Sequence, residues 1–372
     1  MKLPVSRSIA KRVMRFFVWA VGVLLLVRHA ASGSGSSIVV ATLGRRSPRA
    51  RTGTAGEGGG AIVVRGGNSG LTATPPPPTP LKRLGRPLPV PNIVHYVFGL
   101  DPVGIMPFGI LQYLSIVASV LYVRPDEIRW HHKFTPQDEL SRKWWACSLP
   151  HIALTPVEPV TIVRGRPLPN LIVQQQSDII RIRLMNDTGG IYFDTDVIPL
   201  RSFTELRVYE FLMGKEGNRD DALCPAVLVG APHSRFIQRL WNSYDTFDPK
   251  VWAYHAVAVP ALLQQQAPDE CTVVGGRAFF TPGFGSLHEL HEQDDGYDFR
   301  ENFAVHLWAT AHDGYRASFS KLTIADIFVR KGSFHRIARK LLVEALAAGL
   351  LCDFARNETV AAVVSAAAAP AT

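Results

Sequence analysis

The segment 174–203, QQQSDIIRIRLMNDTGGIYFDTDVIPLRSF, restricts the possible folds more than any other part of the chain. Apolar residues in its first half recur at a spacing that buries one face of a helix. We expect Ser177 to cap this helix, with Asp178 in its first turn, where a carboxylate is favoured. A glycine at 189–190 can adopt the left-handed conformation that ends a helix. The apolar run 191–193 then predicts a short buried strand.

Two aspartates follow at the carboxyl end of this predicted strand. In an extended chain, residues i and i+2 point the same way, so Asp194 and Asp196 converge on one place. Like charges so close repel each other and are costly to desolvate, and a divalent cation relieves both problems. Oxygen ligands suit Mg²⁺ or Mn²⁺, and such ions commonly bridge carboxylates and a diphosphate. Asp178 and Arg181 share one helix face, so Arg181 can add positive charge for the same anion.

Helical and strand-like segments alternate along the chain from Pro91 onward. The sequence PNIVHYVFG predicts a first buried strand, and residues 107–121 predict a helix. We expect a second strand near 128–132 and a third at 162–163. This alternation predicts an α/β fold over residues 92–356, with a mostly parallel sheet flanked by helices. Ligands of such sheets gather at the carboxyl ends of the strands.

Both ends of the chain are predicted to lie outside this domain. Residues 1–31 combine a basic leader with the apolar run 16–27, whose helix would rise about 18 Å against a hydrocarbon core of about 30 Å. Three interpretations remain open: an uncleaved signal anchor, a cleaved signal peptide and an organellar transit peptide. The basic flank favours a cytoplasmic N-terminus and a lumenal remainder. The alanine-rich residues 357–372 are expected to form a loose tail.

Residues 32–91 are rich in Gly, Ser, Thr, Pro and Arg and cannot bury enough apolar surface to offset chain entropy. We expect a disordered segment, either a stalk that holds the domain away from a membrane or a leader without a spacer role. Residues 1–91 hold fourteen of the 40 lysines and arginines but one of the 31 acidic residues. The net charge of +9 therefore belongs to this region and does not support a nucleic-acid partner for the folded domain.

The four cysteines, Cys147, Cys224, Cys271 and Cys352, are widely spaced. The sequence contains no C-x-x-C pair, which argues against a structural zinc site or a thioredoxin-like redox pair. One or two disulfides are possible in an oxidising lumen, and the sequence leaves their connectivity open.

The pattern S-D-x-x-R, followed by G-G-I-Y-x-D-x-D, resembles the DXD-containing sugar-binding region of glycosyltransferase family 32. That family includes initiating α-1,6-mannosyltransferases, α-1,4-galactosyltransferases and enzymes of capsular polysaccharide synthesis. Two segments are similar more loosely: the predicted first strand, where Phe98 replaces the usual Trp, and 304–308, which resembles a late H-x-W strand. The main pattern is matched by Ser177, Asp178, Arg181, Gly189, Gly190, Ile191, Tyr192, Asp194 and Asp196.

This resemblance implies a GT-A fold, in which a Rossmann-like sheet binds a nucleotide-sugar together with Mn²⁺ or Mg²⁺. It implies a hexosyltransferase that moves a hexose or N-acetylhexosamine from a UDP- or GDP-linked donor to a glycan or glycolipid, with retention and an α-linkage. It also implies a type II membrane protein of the Golgi or another secretory compartment, with a lumenal catalytic domain.

The resemblance also assigns roles to side chains. Asp194, Asp196 and His306 are expected to hold the metal. The catalytic set comprises Asp178, Arg181, Asp194 and Asp196. The donor-binding set comprises Phe98, Asp178, Arg181, Tyr192, Asp194, His306 and Trp308. Core packing is the alternative role for Tyr192, His306 and Trp308.

Two other functions fit part of the sequence. In a haloacid-dehalogenase-like phosphatase, Asp194 would be the nucleophile and Asp196 the general acid. That motif normally opens its domain, whereas about a hundred folded residues precede it here, and S-D-x-x-R has no place in it. A catalytically inactive, sugar-binding GT-A-like fold is the second alternative. Glu216 is a further candidate for a group on the acceptor side.

Overall fold

A computed structural model describes residues 88–368, except 103–105, 218, 252, 295 and 311–312. The predicted leader and the predicted stalk up to residue 87 lie outside the described residues. Among the helices that are described, none combines the length and apolar character needed to cross a membrane.

A seven-stranded sheet in the order β10-β8-β9-β6-β1-β2-β3 forms the centre of the fold. Every strand in it runs in the same direction except β9, which is antiparallel to both of its neighbours. The predicted mostly parallel sheet is therefore confirmed. The strands are β1 (Ile93–Val97), β2 (Glu127–His132), β3 (Ala153–Pro156), β4 (Ile162–Val163), β5 (Arg166–Pro167), β6 (Gly190–Phe193), β7 (Val197–Pro199), β8 (Phe211–Lys215), β9 (Leu223–Gly230), β10 (Thr272–Val274) and β11 (Ala304–His306).

Helices cover both faces of the sheet, and two hydrophobic clusters separate them from it. Strand β6 shows the division, since Ile191 and Phe193 belong to one cluster and Tyr192 belongs to the other. The helices are α1 (Ile110–Ala118), α2 (Glu139–Ser148), α3 (Val173–Asp187), α4 (Arg235–Ser243), α5 (Val259–Gln266), α6 (Leu287–His291), α7 (Asp313–Ser320), α8 (Ile324–Val329), α9 (Ser333–Ala347) and α10 (Asp353–Ala368).

A strand does form at the predicted residues 162–163, but its expected place as the third strand of the central sheet was wrong. Residues Ile162–Val163 pair with Arg166–Pro167 in a small separate hairpin, and Ile162 is 55% exposed. The third strand of the central sheet is β3, which lies at the edge and pairs with β2. An edge strand buries little of its surface, and the partly exposed sequence ALTP of β3 has no clear apolar pattern.

The predicted start of α3 was also wrong. The helix begins at Val173, and Gln175 returns its side-chain oxygen to the backbone N–H of the cap residue Ile172. Ser177 and Asp178 therefore lie in the second turn and not at the N-terminus. Both side chains contact Arg181. The helix dipole acts at the first turn, so it does not explain why a serine and an aspartate stand at these two positions.

The alanine-rich C-terminus is a helix and not a loose tail as far as Ala368. Alanine has the highest intrinsic helix propensity, and Ala355, Thr359 and Ala362 supply a buried face. A disulfide between Cys147 in α2 and Cys352 fixes the start of α10. Cys224 and Cys271 are free and buried.

Candidate active site

The turn between α3 and β6 requires both of its glycines. Gly189 has φ of +64° and Gly190 has φ of +109°, in the region that favours glycine. A Cβ atom on Gly189 would lie 2.5 Å from the backbone nitrogen of Pro232. A Cβ atom on Gly190 would lie 2.6 Å from the carbonyl oxygen of Ile93. The Gly-Gly pair thus lets β6 pass close to β1 and deliver the two aspartates to the carboxyl edge of the sheet.

Asp194, Asp196 and His306 form a cluster whose ligand atoms all lie within 4.8 Å of one another. His306 reaches the cluster because β11 pairs antiparallel with β7, which follows Asp196. Its Nε2 lies 3.2 Å from Oδ1 of Asp196. The backbone N–H of Ala309 donates to Oδ2 of the same carboxylate at 2.9 Å. The structure therefore brings together the three residues predicted to hold a metal.

The charges of this cluster compensate one another. Burial is the largest single influence and disfavours the charged form of both Asp196 and His306, but their mutual attraction and their hydrogen bonds together outweigh it. The pKa of Asp196 is therefore lowered, and the pKa of His306 is raised well above its ordinary value. A cation bound here would take the place of the His306 proton. Two carboxylates and one imidazole suit Mn²⁺, which accepts oxygen ligands together with nitrogen, better than Mg²⁺, which prefers oxygen alone.

Arg181 is a buried cation with its side chain only 7% exposed. Its Nη2 lies 3.1 Å from Oδ1 of Asp194 and 3.3 Å from Oδ1 of Asp178. Its Nη1 donates to the carbonyl oxygen of Pro225 at 3.0 Å. Its guanidinium lies 4.7 Å from the centre of the Tyr192 ring. Arg181 was expected to bind the nucleotide-sugar, but several of its N–H groups are directed at protein groups instead. Arg181 therefore holds Asp194 in position.

Tyr192 contributes to the core and to the site at once. Its ring is fully buried, and its hydroxyl donates to Oδ1 of Asp194 at 2.8 Å.

Asp178 is the third acidic group near the site, after Asp194 and Asp196. Burial raises its pKa to about 6, although Arg181 opposes the shift and Asp194 adds to it. The site therefore has one carboxylate that titrates near neutral pH.

A cavity of about 400 Å³ adjoins this cluster. Arg181, Asp194 and Asp196 are among the residues that line it. Its aromatic residues are Phe98, Phe108 and Phe134, and the rings of Phe98 and Phe108 meet edge to face at 5.7 Å. Phe98 thus lies in the same cavity as the two aspartates, as a base-stacking residue must.

A wider groove of about 570 Å³ lies around Trp241, bordered by Arg164 and Arg183. It contains none of the predicted site residues, so the chemistry favours the smaller cavity as the active site.

Trp308 does not line the cavity that contains the two aspartates, and the centre of its ring is 4.1 Å from that of His306. Its indole N–H is buried and has no partner among the described residues.

Three residues near the site were not found by sequence reasoning or were given little weight. Tyr244 is fully buried, and its hydroxyl lacks a partner in the described region. Burial, with a smaller contribution from the charge of Asp178, raises its pKa well above the ordinary value. The buried thiol of Cys224 interacts with His306. Burial also raises the pKa of Glu216, which lies at the end of β8 and interacts with His306. None of them belongs to a local motif, so only the fold relates them to the aspartates.

Known proteins resemble this chain in the same region. Residues 167–212 match the profile of a family described as "Glycosyltransferase sugar-binding region containing DXD motif". Glucan organizing enzyme 1 of Cryptococcus neoformans var. grubii serotype A is 31% identical over 281 residues, which cover 71% of this chain and 74% of that protein. The chain belongs to this glycosyltransferase family. The observation that decides it is an identity extending far beyond the DXD segment.

This glycosyltransferase also has weaker similarity to solved structures. One is the galactosyltransferase LgtC in complex with donor and acceptor sugar analogues, at 14% identity and a TM-score of 0.34, covering 62% of this chain and 97% of that one. Another is the PaToxG glycosyltransferase, at 15% identity and a TM-score of 0.35, covering 48% of this chain and 70% of that one. The family match covers α3, β6 and β7, which carry Arg181 and both aspartates.

Proposed function

We propose that this protein is a metal-dependent hexosyltransferase with a GT-A fold. It would transfer a hexose or N-acetylhexosamine from a UDP- or GDP-linked donor to a glycan or glycolipid. The observation that carries the proposal is the Asp194–Asp196–His306 cluster beside Arg181, with both aspartates lining a cavity that also contains aromatic residues. A diphosphate and a nucleobase require these two environments within one cavity.

The protein side chains perform distinct tasks in this reaction. Asp194, Asp196 and His306 would hold Mn²⁺ or, less suitably, Mg²⁺. When bound, this ion neutralises the charge that develops on the departing diphosphate. Arg181 fixes Asp194 and adds positive charge to the cavity, while Phe98 offers a ring for the base. These residues bind and orient the donor.

The stereochemical outcome is proposed from the same residues. With retention, the acceptor hydroxyl attacks from the face of the leaving group, and the departing phosphate oxygen accepts its proton. Such a path requires no protein nucleophile. Asp194 is poorly placed to act as one, because Arg181 and the Tyr192 hydroxyl both bind its carboxylate. The same contacts argue against the phosphatase alternative, which requires a free nucleophile.

The acceptor and the cellular compartment are further parts of the proposal. The fungal relative has a name that refers to glucan, which favours glucan-containing acceptors among the glycans. The Cys147–Cys352 disulfide supports an oxidising compartment, as do the basic and apolar features of residues 1–31. We therefore place the catalytic domain in the lumen of the Golgi or another secretory compartment, as a type II membrane protein.

The test is a donor-hydrolysis screen with the full-length protein purified in detergent. A panel of UDP- and GDP-sugars is incubated with Mn²⁺ or with a chelator, and the released nucleoside diphosphate is measured. We expect metal-dependent release from one donor. Donor binding without turnover on any acceptor would instead favour the inactive sugar-binding fold. Hydrolysis of simple phosphomonoesters in place of nucleotide-sugars would favour the phosphatase.

Asp196→Asn gives the sharpest variant for this screen. Loss of one carboxylate ligand should lower metal-dependent turnover by at least about 100-fold, because the amide binds a divalent cation poorly. Asp313→Asn is the matched control, since the Asp313 side chain is 92% exposed and pairs with Arg316, three residues further on in the same helix. Asp313→Asn should unfold at the wild-type temperature. Asp196→Asn, which loses its ion pair with His306, should unfold at a lower temperature but remain folded under the assay conditions. Full activity in Asp196→Asn would remove Asp196 from the site.

A further inference from the structure

A short turn, residues 306–309, encloses Asp196 from one side. The backbone N–H of Leu307 donates to the carbonyl oxygen of Asp196 at 3.0 Å. The backbone N–H of Ala309 donates to its carboxylate at 2.9 Å. Between them, Trp308 has φ of +53°, in the left-handed region that non-glycine residues seldom adopt. Such a conformation persists only where the surroundings impose it.

His291, the last residue of α6, contacts this turn from outside the site through a side-chain hydrogen bond. Its Nε2 lies 2.9 Å from the carbonyl oxygen of Leu307. A carbonyl oxygen can only accept, so Nε2 carries the hydrogen and the tautomer is fixed. The imidazole is packed by the rings of Tyr315, at 4.6 Å, and Phe319, at 5.0 Å. The ring is therefore held in place by α7 while its N–H points at the turn.

We propose that His291 is a positioning residue for the metal site. Its hydrogen bond holds the Leu307 carbonyl in the orientation that places His306 and the Ala309 N–H on either side of the Asp196 carboxylate. The inference rests on the proposed function, in which Asp196 and His306 hold a divalent cation. It connects the helices α6 and α7 to the catalytic cluster through one side-chain hydrogen bond.

We expect His291 to position the turn mainly through its hydrogen bond to Leu307, and less through the packing of its ring against Tyr315 and Phe319. Leu307 is fully buried, so its carbonyl oxygen would lack a donor once His291 is replaced by an apolar residue. Rotation of the peptide between Leu307 and Trp308 would expose that oxygen to another donor and would relax the left-handed conformation of Trp308. A change of φ at Trp308 without an equal and opposite change at Leu307 would also move the chain that follows, and with it the Ala309 N–H that donates to Asp196. The cation site would then lose its shape without loss of any ligand.

The test compares two substitutions of His291 in the full-length protein. His291→Phe keeps an aromatic ring and removes the donor. His291→Gln keeps a side-chain N–H at a similar reach. Mn²⁺ binding is measured directly from the electron paramagnetic resonance signal of free Mn²⁺, and donor KM and kcat are measured separately. We expect His291→Phe to weaken Mn²⁺ binding about tenfold, and His291→Gln to restore most of it.

Phe319→Leu is the control for packing, because it disturbs the same contact and leaves the hydrogen bond in place. Equal Mn²⁺ affinity in wild type and His291→Phe would overturn the proposal, as would an equal loss in Phe319→Leu. If His291→Phe does not fold, His291→Met replaces it as the variant without a donor and is judged by the same criterion. A wild-type protein that binds no Mn²⁺ would contradict the proposed function itself, which separates the two failures.

Discussion

At the scale of single residues, Arg181 shows how one side chain can serve both stability and chemistry. It pairs with Asp178 and Asp194 and donates to the carbonyl of Pro225 from a position that is almost fully buried. Its contacts explain why an arginine stands here, since a lysine could not reach all of these acceptors from one point. The position of Arg181 therefore indicates a structural role in addition to the predicted role in binding the nucleotide-sugar.

Replacement of Arg181 should affect folding as well as turnover. Arg181→Ala leaves two neighbouring carboxylates without their cation, which we expect to cost about 3–5 kcal/mol of unfolding free energy. Arg181→Lys keeps the charge and should recover part of that stability but little of the activity. Urea unfolding and donor hydrolysis, measured on the same preparations, separate the two effects. Wild-type stability in Arg181→Ala would mean that the ion pairs contribute only to catalysis.

At the scale of elements, a pair of histidines joins β1, β2 and the turn before β6. Nε2 of His95 lies 2.9 Å from the carbonyl oxygen of Gly189, so this nitrogen donates. Nδ1 of His95 must then accept from Nε2 of His131, 3.0 Å away. Both histidines are neutral in the folded protein, because burial lowers the pKa of His95 to about 4 and that of His131 to about 3.

The histidine pair predicts a loss of stability in weak acid. Both pKa values lie below the unfolded value of about 6.5, so the stabilisation is complete above that pH and declines as the pH falls toward 4. Between pH 7 and pH 5, we expect each histidine to lower the protein's free energy of unfolding by about 1–2 kcal/mol. His131→Gln keeps a donor for His95 and removes one titrating group, so it should lose less. Equal pH dependence of wild type and variant in urea unfolding would contradict this account.

The α3–β6 turn offers a second element-scale prediction, with a matched control in β4–β5. Gly190→Ala forces a methyl group against the Ile93 carbonyl in addition to the unfavourable φ, so we expect a loss above about 3 kcal/mol. Gly165 also has a positive φ, of +77°, but its Cβ would meet nothing within 4 Å. Gly165→Ala should therefore cost only about 1 kcal/mol. Similar losses in thermal unfolding would show that the close approach of β1 is unimportant.

The elements that the sequence predicted well are those whose pattern is local. The first two strands, β6, the Gly-Gly turn and the convergence of Asp194 and Asp196 all follow from apolar runs and from the i, i+2 geometry of an extended chain. The start of α3 could not be found in this way, because Gln175 caps the helix from a segment without the usual cap residues. Strand β3 was missed because edge strands need little apolar surface.

The predicted set of site residues came mainly from family resemblance, and the fold explains why pattern alone was insufficient. His306 reaches Asp196 only through the β7–β11 pair, which joins segments far apart in the chain. Tyr244 and Cys224 have no neighbouring motif, and their relation to the site depends on how α4 and β9 pack. The spacing of residues in the sequence therefore does not predict that Tyr244 and Cys224 lie near the site.

At the scale of the whole molecule, the Cys147–Cys352 disulfide joins residues 205 positions apart, and the Asp194–Asp196–His306 cluster lies between them. Removal of this cross-link should lower the free energy of unfolding by about 2–4 kcal/mol, because the unfolded chain gains freedom. Cys352→Ser is the test, and Cys271→Ser, at a free buried cysteine, controls for the loss of a thiol. The difference between wild type and Cys352→Ser should vanish in a strong reductant. A difference that persists would assign the effect to packing around α10.

Because β7 pairs with β11, the Asp194–Asp196–His306 cluster can form only late in the synthesis of the chain. Asp196 leaves the ribosome long before His306, and synthesis proceeds from the N-terminus at about 5–20 residues per second. Through that interval, the nascent chain has both aspartates but lacks the imidazole and the Ala309 amide that complete their surroundings. A fragment that ends before β11 therefore lacks the finished cation site. Under the proposed function, turnover of nucleotide-sugar therefore requires a chain that has been synthesised beyond Ala309.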